Sequence, residues 1–139
     1  AAGADVYKGR AKEIGWYDVE LSEEGSDDPL FLGMPFRFNV FQWHGDTFDL
    51  PVGGIGLASS ELFPNQVIKV GPNAYGFQFH LEVTEDMIKD WIAVNSDELN
   101  ALKGKIDPEA IVRETGDRIA DLHRYGNGVA ARFLRLIRD

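Results

Sequence analysis

The segment Gly76–Glu82, Gly-Phe-Gln-Phe-His-Leu-Glu, holds a histidine and a carboxylate spaced for proton transfer. A predicted strand delivers His80 to its carboxyl end, and Glu82 follows two residues later, where it can turn back toward the imidazole. A carboxylate bonded to one ring nitrogen fixes the tautomer and leaves the other nitrogen free to take a proton from a nucleophile. The pair has the form of the base and the orienting acid of a catalytic triad. The same spacing at a strand end also suits a surface ion pair.

A nucleophile for such a triad is a separate question, because the 139 residues contain no cysteine. Disulfides, thiolate metal sites and a cysteine nucleophile are therefore excluded within this chain.

Two polar segments invite other roles. His44 and Asp46 could serve metal or acid–base chemistry, but a His-Gly-Asp turn after a strand favours a hydrogen-bonded corner. The acids of residues 22–29 lack the central glycine and closing glutamate of a calcium loop, which indicates a solvated loop.

His123, on a predicted helix, has no evident site partner. The tryptophans fall in apolar patterns that favour core packing or a pocket wall; they are Trp16, Trp43 and Trp91.

Hydrophobic periodicity predicts the elements that must position these residues. The predicted strands are 13–21, 36–43, 55–59, 66–70 and 74–80, with turns at 44–46, 50–54 and 71–73. From Thr84, a predicted N-cap, the apolar period becomes helical. A second helix is predicted from Asp107-Pro108-Glu109, and a third after Gly126-Asn127-Gly128. Gly3 is typical of a glycine that ends a helix, so the chain is expected to begin inside a fold.

Length and charge narrow the classes of function. A chain of 139 residues is expected to form one folded unit, residues 1–139. Its formal charge of −9 disfavours binding to nucleic acid or anionic membranes. No apolar run has the length of a membrane span, and the first residues lack the pattern of a signal peptide. These features predict a soluble, cytoplasmic protein.

Several short segments, in order along nearly the whole chain, resemble the C-terminal half of class I glutamine amidotransferases. The resemblance is to the stand-alone kind related to the amidotransferase domain of GMP synthase. The matching segments are Val6-Tyr7-Lys8-Gly9, Glu13-Ile14-Gly15-Trp16, Trp43-His44-Gly45-Asp46, Leu50-Pro51-Val52-Gly53, Leu57-Ala58-Ser59-Ser60, Asn65-Gln66 and Gly76 through Glu82. Leu81 is a minor departure, since many relatives have proline there. The resemblance assigns the histidine and glutamate of a Cys-His-Glu triad to His80 and Glu82, and it implies no metal or organic cofactor.

The resemblance also implies a flavodoxin-like α/β fold with a central, largely parallel sheet. The family's first strands, its nucleophilic cysteine and its oxyanion hole are expected to lie before residue 1. The chain alone is then expected to be inactive and to expose a cut edge, against which a missing N-terminal segment or a second copy would pack. Five residues are predicted to be core and to lie partly against that replacement: Tyr7, Trp16, Val19, Phe38 and Val40.

The implied activity is hydrolysis of the glutamine side-chain amide to glutamate and ammonia through a cysteinyl thioester. Glutamine is the expected substrate, and an ammonia-accepting synthetase is a possible partner. Two alternatives stay open on the sequence. One is hydrolysis of γ-glutamyl peptides by the same triad, and the other is a non-catalytic scaffold that binds glutamine or a partner enzyme.

Overall fold

The computed structural model describes residues 2–138 as one five-stranded sheet with helices packed against it. The strands are β1 (Val6–Leu21), β2 (Arg37–Phe48), β3 (Gly54–Ser59), β4 (Val67–Val70) and β5 (Ala74–Phe77), in the spatial order β2-β1-β3-β4-β5. The helices are α1 (Glu23–Asp27), α2 (Glu85–Val94), α3 (Ser96–Ala101) and α4 (Pro108–Leu136), with a 3₁₀ turn at Pro29–Phe31. No helix within the described range has the length and apolarity needed to cross a bilayer.

The α/β composition agrees with expectation, but the strand directions do not. Every pairing between these five strands is antiparallel, so the expected largely parallel sheet is not found in residues 2–138. The physical reason lies in the connections. Residues 60–66 join β3 to β4 and residues 71–73 join β4 to β5, whereas a parallel neighbour needs a crossover of about a dozen residues or more.

Strands β1 and β2 form a long ribbon that extends beyond the predicted strand ends. The segment His44-Gly45-Asp46, predicted to be a turn, lies inside β2, and its residues pair with β1. Lys8 pairs with Asp46 and Glu13 pairs with His44, so four residues of β1 lie opposite the single residue Gly45. The segment that the sequence pattern predicted to be a turn is therefore a β-bulge between two paired strands.

The core lies between the sheet and α4. Val19, Phe38 and Val40 are buried as predicted, and Trp16 is partly buried, with its Nε1 donating to Thr115 Oγ1 on α4 at 3.0 Å. Tyr7 is 48% exposed and donates to Asp49 Oδ1 at 2.9 Å, so it is not buried within residues 2–138. Its neighbours along β1 are also exposed within these residues.

Two of the three predicted helix starts are confirmed by capping hydrogen bonds. Thr84 Oγ1 accepts from Met87 N at 3.2 Å at the start of α2, and Asp107 Oδ1 accepts from Glu109 N at 3.0 Å at the start of α4. The predicted break at 126–128 is wrong, since α4 runs unbroken from Pro108 to Leu136. A Cβ on Gly126 would lie 2.9 Å from the carbonyl oxygen of Leu81, so this glycine permits close packing and does not end a helix.

Two further predictions, for the acidic segment 22–29 and for Gly3, can be compared with the structure. The acidic segment 22–29 was predicted to be a loop, but residues 23–27 form α1, whose first-turn amide Gly25 N donates to Ser22 Oγ at 2.9 Å. Acids in the first turn of a helix are stabilised by the helix dipole, which explains this difference. Gly3 has a φ of +81°, which suits a glycine after a helix. The helix that it was expected to end would lie outside the described residues.

Candidate active site

The backbone of His80 is anchored to the edge of the sheet. Strand β5 ends at Phe77, three residues before the predicted limit, but His80 N donates to Phe41 O of β2 at 2.9 Å and forms an isolated bridge with it. Phe79 and Val83, on either side of the His80–Glu82 segment, are buried at 4% and 0% exposure. Burial of these two residues fixes the segment and turns the polar side chains between them outward.

His80 and Glu82 are brought together as the spacing predicted. His80 Nδ1 lies 2.7 Å from Glu82 Oε1, and Leu81 N donates to Glu82 Oε2 at 3.0 Å. Because an ionised carboxylate only accepts hydrogen bonds, Nδ1 carries a proton, and in the neutral imidazole the lone pair is then on Nε2. Within residues 2–138, Nε2 makes no hydrogen bond, and the His80 side chain is 28% exposed. This geometry suits a general base that faces an incoming proton donor.

Helix α2 supplies an aromatic wall for the imidazole. The ring of Trp91 lies 5.0 Å from that of His80, edge to face at 78°, and Trp43 packs against Trp91 at 5.8 Å. Trp43 Nε1 also donates to Glu98 Oε2 at 3.3 Å. Edge-to-face packing restricts the imidazole without using its nitrogens. All three tryptophans are partly buried and pack against the core, which sequence analysis offered as one of their roles.

The turn that carries Glu82 is supported from α4. His123, for which no partner was evident from the sequence, lies 2.8 Å through Nε2 from Val83 O, and it therefore donates to that carbonyl. Gly126 allows the same helix to approach the backbone of Leu81. A mostly apolar groove of about 720 Å³ runs between this helix and the sheet, with Phe77, Phe79 and Phe133 among its lining residues and Glu82 at its edge.

The carboxyl of Glu82 favours its ionised form. Partial burial acts to raise the pKa of Glu82, but hydrogen bonds from His80 and from the backbone of residues 82 and 81 outweigh it and lower that pKa below its usual value. An ionised Glu82 stabilises the protonated imidazole and keeps Nδ1 as the donor. The charge of Glu82 acts mainly on His80, because the Glu82 side chain is 63% exposed and solvent screens its charge from more distant groups.

The lowered pKa of Glu82 predicts a pH dependence of stability. A depressed folded-state pKa adds stability above the ordinary glutamate pKa of about 4.3, and this is lost as the pH falls through the folded value. We expect the unfolding free energy, measured by urea denaturation from pH 6 to pH 3, to fall less steeply in Glu82→Gln than in wild type. If the unfolding free energy fell equally steeply with pH in the two proteins, the prediction that Glu82 is ionised and hydrogen-bonded in the folded state would be contradicted.

A second histidine–carboxylate pair lies on the ribbon, and sequence analysis did not identify its acid. His44 Nε2 lies 2.9 Å from Oε2 of Glu13, which is fully buried, and His44 Nδ1 lies 2.9 Å from Asp46 O. Both contacts are acceptors, so both ring nitrogens carry a proton when Glu13 is ionised. Ser60 Oγ and Gln66 Nε2 also donate to Glu13, at 2.6 and 2.8 Å.

The geometry of this pair is that of a structural network. His44 has no free ring nitrogen, which agrees with the hydrogen-bonded corner favoured by the sequence, although the corner proves to be a bulged strand. Glu13 was detectable in one respect. It stands in phase with Tyr17, Val19 and Leu21 along the predicted strand, where an acid on an apolar face requires a partner. Within the described range, no three His, Asp or Glu side chains are grouped to hold a metal ion.

No protein-family model matches the chain. It is 36% identical over 105 residues to a glutamine amidotransferase-like protein, YfeJ, of Salmonella typhimurium, which covers 76% of this chain and 44% of that protein. It is 36% identical over 95 residues to the GMP synthase [glutamine-hydrolyzing] of Thermosipho melanesiensis, over 67% of this chain and 18% of that protein. The crystal structure of a glutamine amidotransferase from Thermotoga maritima matches with a TM-score of 0.83 and 41% identity, over 95% of this chain and 55% of that one.

In sequence and in fold, this chain is similar to the glutamine amidotransferases. The more specific resemblance, to class I enzymes related to GMP synthase, is also confirmed. The chain spans 44% of YfeJ and 55% of the Thermotoga maritima chain, so the activity of a whole amidotransferase does not follow from the match alone.

Proposed function

We propose that this chain supplies the general base and its orienting carboxylate to a glutamine amidotransferase that acts in the cytoplasm. The observation that carries the proposal is the pair itself, with Nδ1 of His80 held by Glu82 at 2.7 Å and Nε2 left without a hydrogen bond in residues 2–138. Similarity to glutamine amidotransferases supports glutamine as the substrate. The nucleophile in this proposal is a cysteine on a segment outside the 139 residues, since the chain contains none.

The proposed reaction assigns each proton to one of these residues. His80 Nε2 takes the thiol proton, and the thiolate attacks the side-chain carbonyl carbon of glutamine to form a tetrahedral intermediate. The imidazolium, stabilised by Glu82, returns the proton to the nitrogen as the C–N bond breaks, releasing ammonia and leaving a γ-glutamyl thioester. His80 then takes a proton from the water that attacks the thioester and returns it to the sulfur as the C–S bond breaks, which gives glutamate and the free thiol. Acid–base help of this kind contributes about 10²–10⁴-fold.

The ammonia is proposed to pass to a synthetase that uses it, either on the same polypeptide or as a separate subunit. Similarity to a GMP synthase over 18% of that protein supports this class of partner. This similarity does not identify the molecule that accepts the ammonia.

We expect the 139-residue chain alone to release no ammonia from glutamine above a buffer blank, because the thiol and the oxyanion donors are both supplied from elsewhere. The complete domain, with its cysteine-bearing segment, is expected to release ammonia in proportion to glutamine. The measurement is a coupled ammonia assay, with the same domain carrying Cys→Ala as the matched control.

Two outcomes would contradict the proposal. Steady glutamine-dependent ammonia release from the 139-residue chain would show that the roles of the residues are wrong. If the complete domain, folded and with its cysteine, hydrolysed only γ-glutamyl peptides, those peptides and not glutamine would be its substrate.

A further inference from the structure

A second feature of the β1–β2 ribbon has no part in the proposed reaction. The bulge of residues 9–12 opposite Gly45 opens a cleft of about 710 Å³ on the ribbon, bounded on its other side by the segment between α3 and α4. We call it the basic cleft and define it by six of its lining residues: Lys8, Arg10, Lys12, His44, Asp46 and Lys105. It shares no lining residue with the groove beside Glu82.

Close packing of glycines maintains the shape of the bulge. A Cβ on Gly9 would lie 2.4 Å from the ring of Phe63 and 2.9 Å from the carbonyl oxygen of Gly45. A Cβ on Gly45 would lie 2.9 Å from Lys12 Cγ. The contact of position 9 with Gly45 O involves the backbone of β2, so a side chain at position 9 would force the two strands apart. The bulge is thus a defined conformation, and bulges of this kind redirect the side chains that they carry.

The charge of the basic cleft is opposite to that of the chain. Four cationic side chains line it, from Lys8, Arg10, Lys12 and Lys105, against the single carboxylate of Asp46. The whole chain has 23 acidic and 14 basic residues. The count leaves out His44, whose Nε2 contacts the carboxylate of Glu13 at 2.9 Å.

Most of these cations form no ion pair within residues 2–138. Lys8 and Lys105 form no ion pair with any residue from 2 to 138, and Arg10 donates only to the carbonyl oxygen of Glu61, at 3.1 Å. Lys12 alone is paired, with Glu98. Unpaired cations gathered in a concave site create a local positive potential that attracts anions.

We propose that the basic cleft binds a small organic anion, with a phosphate or carboxylate group on an apolar body. The anionic group would lie against Arg10, Lys8 and Lys105, since guanidinium and ammonium groups bind both kinds of oxyanion. The apolar body would lie against the wall formed by Leu62, Leu102 and Ile106. A volume of about 710 Å³ falls within the range of about 300–1,000 Å³ that is usual for small-molecule sites.

The test is an amide NMR titration of the 139-residue chain at low ionic strength with phenyl phosphate, benzoate, inorganic phosphate and benzyl alcohol. Phenyl phosphate or benzoate should shift the amide signals of Gly9, Gly45 and Lys105 with a Kd below about 1 mM. Inorganic phosphate should bind the same residues more weakly, because it lacks the apolar body. Benzyl alcohol, which has the ring but no charge, should leave them unshifted at the same concentrations.

Charge variants with matched controls identify the site. Arg10→Gln and Lys105→Gln should each weaken binding of the tighter probe about threefold or more, and added salt should weaken it further. Arg113→Gln and Lys89→Gln remove exposed cations elsewhere on the surface and should leave the Kd unchanged. All four are surface substitutions, and their amide spectra report directly whether each variant is folded.

Three results would overturn the proposal. They are no saturable binding of either charged aromatic probe up to about 10 mM, a Kd that Arg10→Gln and Lys105→Gln leave unchanged, and displacement of the bound probe by L-glutamine. The last result would assign the cleft to the proposed substrate. None of these measurements depends on ammonia release, so their failure leaves the amidotransferase proposal standing.

Discussion

Replacing His80 by alanine in the complete domain is expected to abolish glutamine hydrolysis, with a fall in kcat/KM of at least about 10²–10⁴-fold. The imidazole is the one group proposed to move protons in both halves of the reaction. Its Nδ1 is held by Glu82 and its ring packs against Trp91. Glu82→Gln should retain a small residual activity, because the glutamate orients and stabilises the imidazole without reacting. Steady-state ammonia release measures both variants.

His44→Ala is the comparison that tests the choice of histidine. Both ring nitrogens of His44 are engaged, by Glu13 and by Asp46 O, so its loss should lower stability more than it changes the chemistry of the folded fraction. Activity must therefore be normalised to the folded protein, measured by near-UV circular dichroism. If His80→Ala kept near wild-type turnover while folded His44→Ala lost it, the wrong histidine would have been assigned to the reaction.

The His80–Glu82 pair was predictable from sequence because its geometry is local. Two residues of spacing, a buried residue on each side and a helix cap at Thr84 determine where the side chains point. Val19, Phe38 and Val40 were predictable as core for a similar reason, since strand periodicity places them on the covered face. Each of these inferences depends on a few consecutive residues.

The errors arise where long-range packing overrides a local pattern. Gly126-Asn127-Gly128 has the composition of a helix break, but Gly126 is required where α4 passes close to Leu81, 45 positions earlier in the chain. The parallel sheet was expected from a family resemblance, although the short connections between β3, β4 and β5 already favoured antiparallel neighbours. Tyr7 was predicted to be core that lies partly against a further segment or copy, and within residues 2–138 it is 48% exposed.

The buried network around Glu13 was the least accessible feature, because its members come from separate strands and loops. Glu13 and Gln66 are 53 positions apart, and Glu13 and Ser60 are 47 apart. Gln66 also accepts from Gln42 Nε2 at 2.8 Å through its side chain and from Gln78 N at 2.9 Å through its backbone. The network therefore links the ribbon to the segment that leads into His80.

Glu13→Ala is expected to reduce the free energy of unfolding by about 3–5 kcal/mol, because it removes a fully buried carboxylate and leaves its partners unsatisfied. Ser60, Gln66 and His44 would all lose the carboxylate that they contact. Urea denaturation at neutral pH, followed by tryptophan fluorescence, measures the change. Glu13→Gln keeps the shape and an acceptor but not the charge, and should lose roughly half as much.

Glu20→Ala is the matched control on the same strand. Its carboxylate is 47% exposed and pairs with Arg37 at 3.1 Å, so the expected loss is below about 1 kcal/mol. If Glu13→Ala is already unfolded in buffer, the test is whether the stability of Glu13→Gln falls between that of wild type and that of Glu13→Ala. Because Gln66 joins the network to the backbone at Gln78, folded Glu13→Gln should also shift the His80 imidazole resonances, whereas Glu20→Ala should not. A Glu13→Ala protein within 1 kcal/mol of wild type would contradict the expectation that this buried network stabilises the fold.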